Sequence, residues 1–458
     1  MKKFHITEAM EMRLVQITRN PLIETLARRA GLMVRKARKV KPGDLLLGWI
    51  KGVITGRTSY AAIADTVAQT TGETVSKQDI QQRTSSALIR FLMSVLGSLL
   101  TPEDGQRVTT AVPSFFHRMI VLDSTHVPFP SNLAPFYPSG RNQTKKSFAT
   151  AKIQAVYDLL HEQFVRFFIS PYTESDSRLG WSMIADVIES GDLIMWDLGY
   201  FALATFRHIA EQGAYFLSRL KPNCTLIDPE DPSKTLSLLE MLQNQATTVD
   251  RPVLLGKRDR LPVRLVAVPV TPEVAEARRE KAAHNRDRRY KPSSTYLALL
   301  GWNIYIVNVP SSVLAPTQIE ALYRLRWRIE ILFKIWKSEF HLRLVPSQPL
   351  SLYQAQALLL VTLIVVTLFH QVMIPLAVET TVPENPFPPS GSSGGAPNPP
   401  LNRLSLVKLT RLCKNTLLAI ITQLQCTWME TNYLMQSYQY EHRTDRDNYC
   451  QRLCTALS

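Results

Sequence analysis

Cysteine is scarce in this chain, which has five cysteines among 458 residues. An odd, small number of cysteines in a long chain argues against a disulfide scaffold and favours a reducing compartment, which we expect to be the cytoplasm. Four of them lie near the C-terminus, but Cys413 and Cys426 have twelve residues between them. Zinc-binding pairs are usually separated by about two to four residues, so the sequence predicts free thiols here.

Secretory and membrane signals are also missing. The first residues, MKKFHITEAMEMRLVQ, carry charge and lack the apolar core of a secretory signal. Residues 357–369 (ALLLVTLIVVTLF) are the run closest to a membrane span, and His370 and Gln371 interrupt it. A transmembrane helix needs about 20 apolar residues. We therefore expect a buried helix at this position and no membrane partner.

Acidic residues are in deficit, with 38 Asp and Glu against 53 Lys and Arg, a net charge of +15. A protein this basic usually binds a polyanion, and nucleic acid is the commonest one. A basic surface without such a partner is the alternative, because charge alone does not identify what is bound.

The first hundred residues have the apolar spacing of helices. Residues 59–83 (SYAAIADTVAQTTGETVSKQDIQQR) predict a helix, a turn containing glycine and a second helix. This pattern resembles a helix-turn-helix DNA reader. An ordinary helical hairpin fits the same spacing equally well.

Strands and helices alternate from about residue 115, which predicts a mixed α/β sheet domain. The composition then divides the chain into further segments. The predicted layout is a helical DNA-binding domain (1–110), the first part of an α/β core (111–220), a β-rich insertion (221–313), a helix that ends the core (314–378), a Pro/Gly/Ser linker (379–403) and a helical C-terminal segment (404–458).

Two short apolar strands end on a carboxylate. Asp123 follows RMIVL, and Asp197 follows LIMW. A carboxylate at the carboxyl end of a strand lies where α/β folds build their sites. Each aspartate alone could equally cap a turn or a helix.

A third acidic residue lies in a helical segment, residues 317–340. At about 100° per residue, Tyr323, Arg326, Glu330 and Lys337 fall within an arc of about 60° if the helix is continuous. The stripe borders the apolar face, so Glu330 is expected next to the core. A surface ion pair between Arg326 and Glu330, four residues apart, is the simpler alternative.

The spacing Tyr323-x2-Arg326-x3-Glu330-x6-Lys337 resembles the YREK signature of DDE transposases of the large insertion-sequence-four family. VLDST (121–125) is similar to the first-aspartate motif of that family, and WDLGYF (196–201) to the second. YRLRWRIEILFKIWKS (323–338) follows the family pattern throughout. Together these motifs cover residues 115–340.

The resemblance implies a ribonuclease-H-like core in which Asp123, Asp197 and Glu330 form the catalytic triad and hold two Mg²⁺ ions, with Mn²⁺ as a substitute. It also implies double-stranded DNA as the partner, both at the terminal inverted repeats and at the target, and a homodimer on paired ends in a bacterial cytoplasm. Tyr323, Arg326 and Lys337 would contact DNA phosphates.

The β-rich insertion has a role only through the resemblance. Relatives with this insertion often resolve a DNA hairpin by stacking a flipped base on a tryptophan, and Trp302 is the candidate. A tryptophan that covers a strand end is nearly as good an interpretation. Another ribonuclease-H-fold nuclease and a non-catalytic DNA-binding derivative of a transposase are the competing functions for the whole chain.

Overall fold

The structure is a computed structural model that describes residues 6–35, 39–100, 115–139, 149–284, 292–340, 342, 349–381 and 406–423. Two groups of elements are present. The helices are α1 (Ile6–Thr18), α2 (Pro21–Arg29), α3 (Pro42–Thr55), α4 (Tyr60–Thr71), α5 (Lys77–Arg83), α6 (Ser86–Leu100), α7 (Asp176–Ile184), α8 (Leu203–Glu211), α9 (Leu238–Leu242), α10 (Pro272–Ala283), α11 (Ser294–Leu299), α12 (Pro316–Arg324), α13 (Trp327–Glu339), α14 (Leu352–Thr381) and α15 (Leu406–Gln423). The strands are β1 (Met119–Phe129), β2 (Ala149–Asp158), β3 (Gln163–Pro171), β4 (Leu193–Trp196), β5 (Tyr215–Arg219), β6 (Leu226–Ile227), β7 (Thr235–Leu236), β8 (Val249–Leu255), β9 (Leu261–Pro269) and β10 (Trp302–Val307).

The chain forms two compact units. One comprises residues 1–101 and 335–458, and the other comprises residues 102–334. Helix α13 begins in the second unit and ends in the first. The composition predicts separate domains for the N-terminal helices and for the helices after α13. In the structure both sets of helices belong to one unit.

The helical unit is organised around α14, which packs against α1, α3, α6 and α15. Its segment Leu352–Val372 is long and apolar enough to cross a membrane. However, 78% of this apolar stretch is buried within the protein. Such burial is typical of the core helix of a globular protein, as the interrupted apolar run predicts.

The predicted helix pair near the N-terminus is present. Helix α4 ends at Gly72, whose φ of 72° is the left-handed conformation that glycine adopts readily. Helix α5 begins after Ser76, which exchanges capping hydrogen bonds with Asp79. Helix α5 is separated from α6 by a turn at Thr84 and Ser85.

The second unit contains a ten-stranded sheet with the order β3-β2-β1-β4-β5-β10-β9-β8-β6-β7. Strands β1, β2 and β3 are antiparallel neighbours, and β4 and β5 continue the sheet parallel to β1. This mixed order fits the ribonuclease-H-like fold expected of the core. The parallel strand β4 reads LIMW and is wholly buried, as a central strand covered on both faces must be.

The insertion is not separate from the core sheet. Strand β10 pairs with β5, and β9, β8, β6 and β7 follow outward from it. Residues 221–313 contain the strands β6 to β10. The sequence does not indicate that their strands extend the core sheet, because this depends on pairing between distant segments.

Strand β1 is longer than its apolar run predicts, and Asp123 does not end it. The strand continues to Phe129 because β2 pairs with it from Ile120 to Phe129. On its other side β4 pairs only as far as Leu122, opposite Trp196. Asp123 therefore marks the end of the pairing with β4 rather than the end of its own strand.

The helix predicted over residues 317–340 is interrupted. Helix α12 ends at Arg324 and α13 begins at Trp327. Between them the backbone N–H of Leu325 bonds to Leu322 O and that of Arg326 to Tyr323 O, which is the tighter three-residue pattern. The prediction that Tyr323, Arg326, Glu330 and Lys337 form one stripe on a continuous helix is therefore wrong. One tightened turn changes the direction of every later side chain. Apolar periodicity does not detect such a turn.

Parts of all six predicted segments lie outside the described residues. They are residues 1–5, 36–38 and 101–110 of the N-terminal domain, 111–114 and 140–148 of the first part of the core, 285–291 of the insertion, 341 and 343–348 of the segment that ends the core, 382–403 of the linker, and 404, 405 and 424–458 of the C-terminal segment.

A substitution at Phe206 tests how much the core behind the candidate site contributes to stability. Its fully buried ring contacts Trp196, Phe201 and Phe216 at centroid distances of 5.4, 5.1 and 4.6 Å. We expect Phe206→Ala to lower the free energy of unfolding by about 3–5 kcal/mol, because it leaves a cavity beneath β4. Chemical denaturation monitored by tryptophan fluorescence measures this. Phe168→Ala, at a ring that is 40% exposed, is the control and should change little.

Candidate active site

The sheet register brings Asp123 and Asp197 together. Leu122 of β1 lies opposite Trp196 of the parallel strand β4, and each aspartate is the next residue along its strand. Parallel neighbours advance in the same direction, so the two carboxylates emerge side by side where the pairing stops. The parallel pairing of β1 with β4 is therefore what places the two aspartates next to each other.

Arg326 connects Asp123 to Glu330. Its Nη1 donates to Asp123 Oδ2 at 3.0 Å and its Nη2 donates to Glu330 Oε1 at 2.6 Å. The guanidinium side chain is only 8% exposed. The tightened turn before α13 directs Arg326 inward, and the first turn of α13 carries Glu330 to the same place. The Arg326–Glu330 pair is therefore part of a buried cluster rather than surface decoration.

Negative charges outnumber positive charges in this cluster. Burial raises the pKa of Asp123 to about 6; the carboxylates of Glu330 and Asp197 raise it as well, while Arg326 and a hydrogen bond from Ser124 N–H lower it. The effect of Glu330 and Asp197 shows that the three acids act on one another electrostatically. One guanidinium does not balance three carboxylates, so the site favours an additional cation.

Asp197 does not have the capping role that its position allows. It precedes the short 3₁₀ turn Leu198–Tyr200, but its carboxylate makes no capping hydrogen bond. The side chain is exposed, and among the described residues it has no hydrogen-bond or ion-pair partner. An acid that is exposed beside Asp123 remains available to bind a ligand.

Tyr323 lies behind this group. Its hydroxyl donates to the backbone oxygen of Trp196 at 3.0 Å, and its side chain is buried. Burial raises the pKa of Tyr323, and the nearby Asp197 raises it further. The hydroxyl predicted to contact DNA therefore already has a partner in the strand that leads to Asp197.

Lys337 is on α13, two turns after Glu330. The two residues share one uninterrupted helix, so the last part of the predicted stripe remains valid. Tyr323 and Arg326 precede α13, so the turn between α12 and α13 sets their alignment with Glu330.

The cluster fits a divalent cation in its chemistry. Its free donors are carboxylate oxygens, the ligands that Mg²⁺ and Mn²⁺ prefer, and it has excess negative charge. In the described part of the chain, however, no three His, Cys, Asp or Glu side chains are close enough together to hold an ion as they stand. The reason is visible in the site, since Arg326 bridges two of the three acids.

Trp302 lines a cavity in the sheet unit. It is half-buried at the start of β10 and packs against the core of the sheet. The cavity has a volume of about 310 Å³, and Tyr296, Arg219 and Arg278 also line it. Leu198, the residue after Asp197, forms another part of the wall. Trp302 and the residue that follows Asp197 thus line the same cavity, which has aromatic and cationic walls.

Arg278 and Arg219 share one acceptor in that wall. Arg278 Nη2 and Arg219 Nη2 donate to Asn303 Oδ1 at 2.9 and 3.3 Å. Sequence patterns do not report that β5, β10 and α10 meet at one asparagine.

Glu162 and Arg328 are two residues near the site that the sequence gives no reason to select. Arg328 is on the first turn of α13, and its Nε and Nη2 donate to Glu162 Oε2 at 3.1 and 2.9 Å. A charged residue in a β-turn and an arginine beside a signature motif are common surface features. Only their contact, across 166 positions of sequence, distinguishes them.

Comparison with solved structures gives a distant likeness. The chain is similar to the piggyBac transposase in a synaptic complex with hairpin DNA, with a TM-score of 0.47 and 9% identity over 96% of this chain and 87% of that one. A likeness at this level is too low to inform the fold or the chemistry.

Comparison with known sequences shows the family of the chain. Residues 114–366 match the family described as "Transposase DDE domain". The chain is 30% identical to the transposase of insertion sequence element IS231B of Bacillus thuringiensis subsp. berliner, over 70% of both chains. It is 26% identical to the transposase of IS1151 of Clostridium perfringens, over 60% of this chain and 62% of the relative. The chain therefore belongs to the DDE transposases of bacterial insertion sequences.

Proposed function

We propose that this DNA transposase cleaves the strands at the ends of its insertion sequence and joins them to target DNA, with Asp123, Asp197 and Glu330 as the catalytic acids. The observation that supports this best is the clustering of all three. Two emerge from adjacent parallel strands, and Arg326 links the third to the first. The DNA partners are the terminal inverted repeats and the target duplex.

Membership of the family implies a divalent metal cofactor. We propose Mg²⁺, with Mn²⁺ as a substitute, held by the same three carboxylates. Bound ions would activate the attacking oxygen and stabilise the leaving oxygen. Asp197 is exposed and unpaired among the described residues, whereas Asp123 and Glu330 share Arg326, so loading the site requires the guanidinium to release them.

Arg326 and Lys337 are proposed to bind DNA phosphates. Arginine offers five donors in a planar fork, and Arg326 Nε is buried with no hydrogen-bond partner among the described residues. A phosphate that draws the guanidinium from Asp123 and Glu330 would satisfy its donors and free both acids. Tyr323 remains in the phosphate-binding set through the family resemblance, although its hydroxyl donates to Trp196 O.

Trp302 is proposed to stack a DNA base flipped out at the transposon end, during cleavage through a hairpin. Support comes from the cavity, where an indole and a phenol supply aromatic surfaces and two arginines supply positive charge.

The remaining partners follow from the same function. The helix pair α4–α5 is proposed as part of a DNA-binding domain, and two copies of the chain are proposed to act together on paired ends. The protein would act in the cytoplasm, associated with the bacterial nucleoid.

Neutral substitutions test the triad. We expect Asp123→Asn, Asp197→Asn and Glu330→Gln each to reduce cleavage at the inverted repeats by roughly a thousandfold or more, because members of one catalytic unit are not replaceable singly. Gel analysis of a duplex carrying the element end, with Mg²⁺ or Mn²⁺ and after EDTA, measures cleavage. Mobility shift should show end binding retained.

Asp186→Asn, at an exposed acid paired with Arg166, is the control and should cleave normally. Cleavage that persists in one triad variant would remove that residue from the catalytic set. Hydrolysis without joining to target DNA would indicate a nuclease, and binding without cleavage in either metal a non-catalytic derivative.

Salt dependence tests the phosphate contact of Lys337. We expect Lys337→Gln to weaken end binding and to reduce the slope of log Kd against log salt concentration by about 1, because one fewer counterion is released. Fluorescence anisotropy across a salt series measures this. The control is Lys234→Gln, at an exposed lysine just before β7 at the far edge of the sheet. An unchanged slope would assign Lys337 to a different role.

Base stacking tests Trp302. With 2-aminopurine at the terminal positions of the element, wild-type protein should change its fluorescence as the base leaves the duplex. Trp302→Ala should lose this signal and Trp302→Phe should keep most of it, because stacking on an aromatic ring contributes about 1–3 kcal/mol per base. If Trp302→Ala only lowers thermal stability and keeps the signal, the side chain is a core residue and no more.

A further inference from the structure

The turn between β2 and β3 is held by its own side chains. Asp158, the last residue of β2, is fully buried, and its Oδ1 accepts the Leu160 N–H at 2.9 Å. Its Oδ2 lies 2.5 Å from His161 Nδ1. These contacts fix the four residues that lead into β3, so the position of Glu162 is well defined.

Glu162 adopts an unusual backbone conformation in this turn. Its φ of 49° is in the left-handed region, which side chains other than glycine rarely adopt. Such conformations persist where surrounding contacts hold them. Here Glu162 Oε2 accepts the hydroxyl of the fully buried Tyr157 and both Nε and Nη2 of Arg328. One oxygen of the carboxylate, Oε2, is therefore bonded both to the sheet, through Tyr157, and to α13, through Arg328.

Arg328 lies between the two active-site residues of this segment, two positions after Arg326 and two before Glu330. Because the chain turns at Leu325 and Arg326, α12 does not fix the direction in which α13 begins. Within the described residues, two ion pairs connect the start of α13 to the sheet and its turns. One is Arg326 with Asp123, and the other is Arg328 with Glu162.

The first of these ion pairs is not permanent if the proposed function holds, on which this inference rests. A cation at the carboxylates and a phosphate at the guanidinium would both compete with the Arg326–Asp123 pair. The Arg328–Glu162 pair involves no proposed ligand and can remain. It would then be the polar connection that orients the first turn of α13 while the site is in use.

We propose that Glu162, supported by Tyr157 and acting through Arg328, is a positioning residue that sets the direction of Glu330 toward Asp123 and Asp197. The bond is charge-assisted and uses two nitrogens of one guanidinium, so it restricts both the position and the rotation of the helix end. Tyr157 adds a third donor to the same oxygen and keeps the carboxylate from turning toward solvent.

Mn²⁺ binding by the full-length protein without DNA tests this, with free Mn²⁺ followed by electron paramagnetic resonance. We expect Glu162→Gln to weaken Mn²⁺ binding by about tenfold, the lower range for loss of a group that orients a metal ligand. Glu330→Gln should weaken it more, because a ligand is lost. The matched control is Asp250→Asn, which breaks the similarly buried Arg264–Asp250 pair on β8 and β9 and should bind Mn²⁺ normally.

Arg328→Lys provides a second variant in case Glu162→Gln folds poorly. It keeps the positive charge but cannot place two nitrogens on the carboxylate, so a smaller loss of Mn²⁺ affinity is expected with unchanged thermal unfolding. Wild-type affinity in both Glu162→Gln and Arg328→Lys would overturn the positioning role. An equal loss in Asp250→Asn would also overturn it, since the effect would then be general destabilisation.

The same titration separates this inference from the proposed function. If Glu330→Gln weakens Mn²⁺ binding and Glu162→Gln does not, only the positioning role fails. If wild-type protein binds no Mn²⁺, or Glu330→Gln binds it like wild type, the metal-holding triad itself fails and the positioning role fails with it.

Discussion

The guanidinium of Arg326 is the group on which the candidate active site depends. Asp123 is mostly buried and lies near two further carboxylates, and burial alone raises its pKa. A positive charge within hydrogen-bond distance makes this grouping possible in the absence of other cations. Reaching Asp123 requires Arg326 to point into the protein, which the tightened turn between α12 and α13 provides. The break in the helix is thus part of the site's construction.

The sheet imposes the second constraint. Strand β4 has four residues and β1 has eleven, so their pairing ends while β1 continues alongside β2. Where β4 stops, its chain turns away through Leu198–Tyr200 and leaves Asp197 exposed next to Asp123. A longer β4 would have placed the second acid in a ladder between neighbouring strands.

Much of this arrangement can be predicted from the sequence. The apolar runs before Asp123 and Asp197 indicate strands, and the YREK spacing identifies Glu330 with its neighbours. Local patterns cannot give the length of β1 or the sheet position of β10, because both depend on which distant strand pairs with them. The turn at Arg326 is missed because every residue around it is compatible with a helix. The pairing of Glu162 with Arg328 is missed because the two residues are distant in the sequence.

Under the proposed function, the chemistry of arginine at position 326 limits the ways in which Asp123 and Glu330 can be released from it. A guanidinium stays protonated at any physiological pH, so the carboxylates cannot be freed by loss of a proton from their partner. They are freed only if another anion attracts Arg326 or another cation displaces it. Under the proposed function a DNA phosphate would attract Arg326 and a divalent ion would displace it. Each event would favour the other, because both depend on the guanidinium leaving the same two acids. A lysine would neutralise one carboxylate as a point charge and could not bridge two with fixed geometry. The Arg326 bridge would therefore link DNA binding to the release of the acids, while the Arg328–Glu162 ion pair would hold the start of α13 in place during the exchange.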